Sequence, residues 1–300
     1  MNKGHIGVVA PTWRDYLEMC KPRVVMLMLI TAAVGIFLAI PASAGLPSLD
    51  LLIATLIGIA LVAGSAAVIN HVADAHIDAR MSRTERRPMV QGHIPAPRAM
   101  LFSAILALSG MSLLTFAVNP ATAWLNLVSW AGYGIIYTLY LKHLTPQNIV
   151  IGGLFGAAPP LFGWTAVTGT IDPEPLILVG IIFVWTPPHF WALALDRLDE
   201  YGDAGVPMLP VTHGDPHTRV QIFAYTVALA AVSLLPFAIG MSGVLYLLAA
   251  LALNGVFIYW AVALLRRKPG AEIRTFRYSI VYLGALFLAL LVDHYLAPML

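Results

Sequence analysis

Residues 51–78 read LLIATLIGIALVAGSAAVINHVADAHID, a long apolar run that ends at Ile69 and passes directly into a polar pattern. The run is long enough to cross a bilayer as a helix. Asn70, Asp74 and Asp78 follow at every fourth position, so on a helix they lie along one face, roughly 6 Å apart. The stretch therefore predicts a membrane helix that carries a row of oxygen-bearing side chains where it reaches water.

The composition indicates the same class of protein. Hydrophobic residues make up 59% of the 300 residues and charged residues only 11%, and the mean hydropathy is +0.82. These values exclude a soluble globular domain and predict an all-α, polytopic membrane protein, with residues 1–300 as one domain. The single cysteine, Cys20, excludes an intramolecular disulfide and any CxxC motif.

Nine segments are apolar enough to span a bilayer, and turn signals rich in proline, glycine or asparagine separate them. They are predicted at 24–41, 50–69, 99–117, 121–140, 149–168, 175–195, 219–240, 243–265 and 276–296. We expect these helices to form a bundle around a central cavity. Residues 1–22 carry scattered charges and no continuous apolar core, so we expect a cytoplasmic segment and no cleavable signal peptide.

The positive charges test this count. With nine spans, all 17 lysine and arginine residues fall on the same side of the membrane, and that side is cytoplasmic by the positive-inside rule. The prediction is therefore a protein of the bacterial inner membrane whose N-terminus is cytoplasmic and whose C-terminus is outside. The two longest loops, 70–98 and 196–218, also lie on the cytoplasmic side, and both begin with acidic residues. Their equivalent positions suggest an internal repeat with both acidic segments facing one cavity.

Asn70, Asp74 and Asp78 suit a hard cation such as Mg²⁺, which prefers oxygen ligands and often keeps phosphate oxygens in its shell. The second acidic segment supplies Asp199 and Glu200. Two such segments can hold Mg²⁺ around a diphosphate. The alternative is that Asp74 and Asp78 only pair with nearby arginines at a wet interface.

Basic side chains follow the first acidic motif. Arg83 and Arg87 can grip phosphate oxygens, although the positive-inside rule alone also explains a cluster of this kind. Lys142 ends the fourth predicted span, where it either reaches the diphosphate or anchors the helix by snorkelling. Asp293 and His294 lie near the outer end of the last span, where they either line an entrance or form a polar cap.

The segment 185–191 reads WTPPHFW and interrupts the sixth span. Two consecutive prolines are predicted to break the helix and free backbone carbonyls. His189 follows them directly, and an ionisable group inside a span is a candidate site residue. Neutral imidazole is a ligand for haem iron, and Trp185 and Trp191 suit a flat macrocycle, although other aromatic acceptors also fit.

These motifs resemble the UbiA superfamily of membrane prenyltransferases, and in particular its haem-modifying branch. The resemblance runs nearly end to end. The strings that carry it are Asp15-Tyr-Leu, Lys21-Pro-Arg23, Asn70-x3-Asp74-x3-Asp78, Met81-x-Arg83-Thr84, Tyr137-Thr, Leu141-Lys142, Trp185-Thr-Pro-Pro-His-Phe-Trp-Ala-Leu-Ala194 and Ala204-Gly-Val-Pro-Met-Leu-Pro-Val211. The last two are typical of the haem-modifying branch, whereas the Asn/Asp motif indicates only the superfamily.

The resemblance implies transfer of a farnesyl group from farnesyl diphosphate to a vinyl group of haem B, which gives haem O. It implies that Asn70, Asp74, Asp78 and Asp199 bind Mg²⁺, with Glu200 completing the catalytic acidic set. Arg83, Arg87 and Lys142 would then bind diphosphate. His189, Trp185 and Trp191 would contact haem, with His71 and His76 as further candidates for the iron. Haem A synthase or a second copy of the chain is the partner expected in the lipid bilayer, and no nucleic acid is expected.

Two other functions fit part of the pattern. A prenyltransferase for a quinone precursor or a chlorin would share the acidic motifs but has no evident need for His189 in its aromatic surroundings. A transporter would also contain interrupted helices, but its ionisable residues are expected near the middle of the bilayer. In this sequence nearly all of them lie at one rim.

Overall fold

The computed structural model describes residues 11–82 and 84–296. Helices account for nearly all regular structure in that part of the chain, and it contains no β-strand. The α-helices are α1 (Trp13–Met19), α2 (Pro22–Leu38), α3 (Leu49–Asp78), α4 (Ala96–Leu113), α5 (Pro120–Ala131), α6 (Lys142–Leu144), α7 (Asn148–Gly156), α8 (Pro159–Thr168), α9 (Pro173–Asp196), α10 (Leu198–Asp203), α11 (Leu209–Val232), α12 (Leu235–Ala238), α13 (Val244–Leu265) and α14 (Ala271–Leu296). Two π-helical segments, Leu114–Val118 and Gly132–Leu141, extend α4 and α5.

All nine predicted membrane segments are helical over most of their length. Within the described ranges, seven helices are long and apolar enough to cross a bilayer, and the bent pair α1–α2, with 54° between its helices, makes an eighth. The predicted span 121–140 is divided between α5 and the π-helical segment that follows it. Large apolar side chains such as Phe116, which is 87% exposed, point away from the bundle. The chain is thus an integral membrane protein.

Proline and polar caps fix where several helices begin. Proline occupies the first turn of α2, α5, α8 and α9, where its missing N–H costs no helical hydrogen bond. Asn119 caps α5 by accepting a 2.8 Å hydrogen bond from the Thr122 amide. Near the end of α14, the carboxylate of Asp293 accepts hydrogen bonds from the amides of Gly243 and Tyr246 at the start of α13. Asp293 is therefore a polar cap rather than the lining of an entrance.

Close helix contacts hold the bundle together. A Cβ atom at Gly163 would lie 1.9 Å from the carbonyl oxygen of Ala32, and one at Gly35 would lie 2.1 Å from that of Pro160. Only glycine allows α2 and α8 to approach so closely, which is the usual way in which membrane helices pack. A larger apolar cluster, which includes Tyr246, joins α9, α13 and α14.

The segments 70–98 and 196–218, predicted as loops, both contain helix. α3 continues to Asp78, as the four-residue spacing of its polar side chains predicts, and these side chains find partners inside the protein. The segment 196–218 contains α10 and the start of α11. The predicted break at Pro187-Pro188 was wrong, since α9 runs through both prolines. A proline removes only its own N–H bond, so the Phe183 and Val184 carbonyls lose their helical donors while the helix continues.

Candidate functional site

The first acidic motif forms one buried row at the C-terminal end of α3. Asn70, Asp74 and Asp78 are each less than 5% exposed. The Asn70 amide donates a 2.8 Å hydrogen bond to Oδ2 of Asp74, as the four-residue helical spacing predicts. The expected alignment on one helix face is present.

Each member of this row contacts a cation from a different part of the chain. Lys21, at the bend between α1 and α2, donates to Oδ1 of Asn70. The Lys142 ammonium lies 2.6 Å from Oδ2 of Asp74, and Nη1 of Arg87 lies 2.5 Å from Oδ2 of Asp78. Buried carboxylates need such partners, because taking an unpaired charge out of water is costly. The fold thus brings Arg87 and Lys142 to the acidic row, whereas Arg83 lies outside the described residues.

The π-helical segment Gly132–Leu141 forms a second wall. Its Thr138 hydroxyl donates to the Tyr133 carbonyl at 2.8 Å and accepts from the Asn70 amide at 3.3 Å. The rings of Tyr133 and Tyr137 stack 5.4 Å apart with 12° between their planes. The Tyr137 ring packs on Gly152 of α7, where a Cβ atom would lie 2.3 Å from it. π-Helical segments are often found at functional sites.

The segment that carries these tyrosines contacts the acidic row directly. Its Thr138 hydroxyl accepts from Asn70, and Lys142 at its end contacts Asp74. Neither tyrosine was predicted as a site residue. Their only signal was the Tyr137-Thr string of the family resemblance.

The second acidic segment is only partly joined to the first. Oε1 of Glu200 accepts from the Ser82 hydroxyl at 3.3 Å, just beyond the end of α3. Glu200 also pairs with Arg197 at 3.1 Å. Asp199 instead lines a cavity of about 510 Å³ together with Asp203. Glu200 therefore approaches the first motif, whereas Asp199 faces a different space.

A metal fits the donor set of the first motif, although the acidic groups are not arranged as a preformed cage. Among the described residues, no three His, Cys, Asp or Glu side chains form a metal-binding group. However, Oδ1 of Asp74 is buried without a hydrogen-bond partner. That oxygen, together with the Asn70 and Asp78 oxygens along the same face, offers the hard ligands that Mg²⁺ prefers.

His189 occupies an aromatic sandwich deeper in the bundle. Its ring stacks on Trp185 at 4.2 Å and on Phe276 at 4.7 Å. Nδ1 lies 2.7 Å from the hydroxyl of Ser279, and that hydroxyl donates its only proton to the Phe276 carbonyl at 2.6 Å. Nδ1 must therefore donate to Ser279, which leaves the lone pair on Nε2.

Of the two tryptophans predicted to contact haem, only Trp185 accompanies His189. Trp185 is four residues from His189, on the same face of α9, and donates to the Ser279 carbonyl at 2.8 Å. Trp191 points towards α11, where it meets Tyr225 edge-on, and its buried Nε1 has no hydrogen-bond partner. Helical geometry explains the separation, because two residues along a helix correspond to a rotation of about 200°.

A link outside the membrane spans fixes the position of α1 beside the acidic row. Oδ2 of Asp15 accepts from the Thr12 amide at 2.7 Å, which completes a capping box, and Oδ1 lies 3.1 Å from Nδ1 of His93. These contacts, the Thr12 amide first among them, lower the pKa of Asp15 to about 2. The link ties α1, and with it the Lys21 bend, to the loop that carries Arg87.

Comparison with known proteins gives a consistent result. A family model described as the UbiA prenyltransferase family matches residues 28–291. The chain is 58% identical to a protoheme IX farnesyltransferase of Hahella chejuensis over 288 residues, which are 96% of this chain and 95% of that protein. It is 59% identical to the protein of the same name from Azotobacter vinelandii over 286 residues, 95% of each chain.

Solved structures share the fold. A structure of a digeranylgeranylglyceryl phosphate synthase aligns with a TM-score of 0.78 at 21% identity and covers 94% of this chain and 98% of that one. A UbiA homologue from Archaeoglobus fulgidus bound to GPP and Mg²⁺ aligns with a TM-score of 0.64 at 16% identity, covering 92% and 99%. At these identities the likeness concerns the arrangement of helices.

Proposed function

Because the chain belongs to the UbiA prenyltransferase family, we propose that it is the enzyme that attaches a farnesyl group to haem. It transfers the farnesyl group of farnesyl diphosphate to a vinyl group of haem B, which forms haem O and releases diphosphate. The observation that carries this conclusion is the end-to-end similarity, at more than half identity, to proteins named for this activity. The buried acidic row with its three cations supplies the groups that binding of the diphosphate donor requires.

The diphosphate binds at the rim of α3. Asn70, Asp74 and Asp78 hold Mg²⁺ there, and Glu200 completes the metal site from the second acidic segment, whereas Asp199 lines the neighbouring cavity. Support comes from the buried, unpaired Oδ1 of Asp74 and from the related fold solved with GPP and Mg²⁺. When bound, the metal neutralises the diphosphate and so helps the carbon–oxygen bond to ionise.

Lys142, Arg87 and Arg83 bind the phosphate oxygens. Both described cations already lie at the acidic row, so a diphosphate placed there meets them without a change of fold. Positive charge fixed at the leaving group stabilises the negative charge that develops as the bond breaks. Their role is to bind and orient the diphosphate and to favour its departure.

The allylic cation forms beside Tyr133 and Tyr137. An aromatic face attracts a cation, and the stacked pair lies on the segment that contacts Asn70 and Asp74 through Thr138 and Lys142. The π electrons of the haem vinyl group then form the new carbon–carbon bond to the farnesyl carbon. Water adds its hydroxyl to the resulting cation and loses one proton, which balances the reaction.

Haem lies against the Trp185–His189 face of α9. Since Ser279 accepts the proton of Nδ1, the Nε2 lone pair of His189 is the atom available to the haem iron. Trp185 supplies an aromatic surface next to it. Trp191 supports this site from the opposite face of α9, where it packs against Tyr225 of α11.

The chain crosses the bacterial inner membrane nine times around a central cavity, with its N-terminus in the cytoplasm and its C-terminus outside. The one-sided distribution of all 17 basic residues supports this orientation. A diphosphate site at the cytoplasmic rim lets the released diphosphate pass directly into the cytoplasm. Haem A synthase, or a second copy of the chain, is the partner in the membrane.

The test is product analysis. Protein purified in detergent is incubated with farnesyl diphosphate, Mg²⁺ and either haem B or an aromatic quinone precursor, and the products are read by mass spectrometry. We expect a haem product heavier by one farnesyl and one hydroxyl group, and no product after metal chelation. A prenylated quinone precursor with unmodified haem would overturn the assignment of the acceptor.

A further inference from the structure

A basic cavity lies next to the acidic row, between the α1–α2 bend, α3 and the loop that carries Arg87. Its volume is about 460 Å³. Lys21, Arg23 and Arg87 contribute positive charge to its lining, and Glu18 contributes the only carboxylate. The cavity therefore carries a net positive charge and suits an anionic ligand.

His71 contributes a buried polar group to the same cavity. It is 2% exposed, and neither of its ring nitrogens has a hydrogen-bond partner. A buried imidazole without partners is unfavourable unless a ligand completes its hydrogen bonding. At the inner end of the cavity, the ring N–H of His71 therefore lacks a hydrogen-bond acceptor.

The cations of this cavity divide into two groups. Lys21 and Arg87 also reach Asn70 and Asp78, so they face the diphosphate site. Arg23 is exposed on the outer wall and forms no ion pair with the residues that the structure describes. Arg23 and His71 are therefore available for a second anion beside the diphosphate.

We propose that this cavity binds the propionate carboxylates of haem, with Arg23 and His71 as the residues that hold them. The inference rests on the proposed function, which supplies two anionic substrates for adjacent sites. A guanidinium matches a carboxylate in forked geometry, and an imidazole N–H donates to the same group. Because haem carries its propionates on the edge opposite its vinyl groups, holding them at the rim directs the vinyl edge into the apolar interior.

The experiment compares haem B with its dimethyl ester, which lacks the propionate charges. In the Arg23→Gln variant we expect the KM for haem B to rise about tenfold, as the loss of one charge-assisted hydrogen bond predicts. The KM for the ester and the KM for farnesyl diphosphate stay at their wild-type values. Arg98→Gln is the matched control, since Arg98 is also exposed on the cytoplasmic side but lies outside the cavity.

Two results would overturn the inference. One is an unchanged KM for haem B in Arg23→Gln. The other is a rise in the KM for farnesyl diphosphate instead, which would assign the cavity to the diphosphate. A binding titration of the protein with haem B or its ester, followed by haem absorbance, repeats the comparison without catalysis. His71→Phe is the second variant in this titration. If the wild type binds haem but forms no product, the proposed function fails while this titration still tests the cavity.

Discussion

The Lys142 ammonium lies 2.6 Å from Oδ2 of Asp74, although 68 positions separate the two residues. Both side chains are largely buried, at 15% and 4% exposure. The contact joins the end of the π-helical segment to the C-terminal end of α3. It therefore ties one wall of the site to the other and places a cation where the diphosphate is proposed to bind.

Replacement of Lys142 by methionine leaves the carboxylate of Asp74 without its cation. We expect a loss of about 3 kcal/mol in the free energy of unfolding, as for other broken buried ion pairs. The further change Asp74→Asn removes the unpaired charge and recovers part of that stability, but no activity. Thermal unfolding in detergent measures the first effect and farnesyl transfer the second. Equal stability of the single variant and the wild type would show that the pair is not coupled.

Two substitutions of Tyr137 distinguish the contribution of its aromatic face to the reaction rate from that of its hydroxyl. Tyr137→Phe keeps the stack on Tyr133, so its single-turnover rate stays close to that of the wild type. Tyr137→Leu loses the π face, and we expect its rate to fall about 2- to 30-fold, the range of a cation–π contact. Equal rates for the phenylalanine and leucine variants would exclude stabilisation of the cation by this ring.

His189 and Ser279 test the haem site. His189→Ala removes the proposed iron ligand, so haem retention falls while binding of farnesyl diphosphate is intact. Ser279→Ala releases Nδ1 and lets the ring turn, which gives a smaller loss of haem. The haem absorbance of the purified variants and a separate diphosphate binding assay give both quantities. An unchanged absorbance spectrum in His189→Ala would remove this residue from the list of iron ligands.

The link from Asp15 to Thr12 and His93 predicts a pH-dependent contribution to stability. The pKa of Asp15 is lowered to about 2 in the folded protein, below its ordinary value of about 4. Its contribution is thus fully present above pH 4 and is lost as the pH falls towards 2. The unfolding temperature of Asp15→Asn should lie below that of the wild type at neutral pH, and the gap should narrow below pH 4. A gap that widens on acidification would contradict this sign.

The sequence predicted the parts of the structure that depend on local pattern. The apolar run 51–69 and the spacing of Asn70, Asp74 and Asp78 contain the information that places these side chains on one helix face. The approach of Lys142 to Asp74 depends on how distant helices pack, which spacing along the chain does not encode. The π-helical position of Tyr137 was also not predictable, because an apolar span has the same composition in either helix type.

At the proline pair, a local sequence signal led to a wrong prediction. Pro187 and Pro188 are local signals that usually end a helix, yet α9 continues through them. Packing against neighbouring helices holds the segment, and loss of individual N–H bonds does not unfold it. Tertiary contacts outweighed a local propensity at this position.

The α3 row is proposed to bind the metal–diphosphate group during transfer of farnesyl to haem. The most direct measurement is the single-turnover rate of farnesyl-haem formation in the wild type, Asp74→Asn and Asp50→Asn. Asp50 lies on the same helix at its opposite, exposed end and serves as the matched control. We predict a loss of about 100-fold or more in Asp74→Asn, with haem still bound, and an unchanged rate in Asp50→Asn. A normal rate in Asp74→Asn would contradict the account.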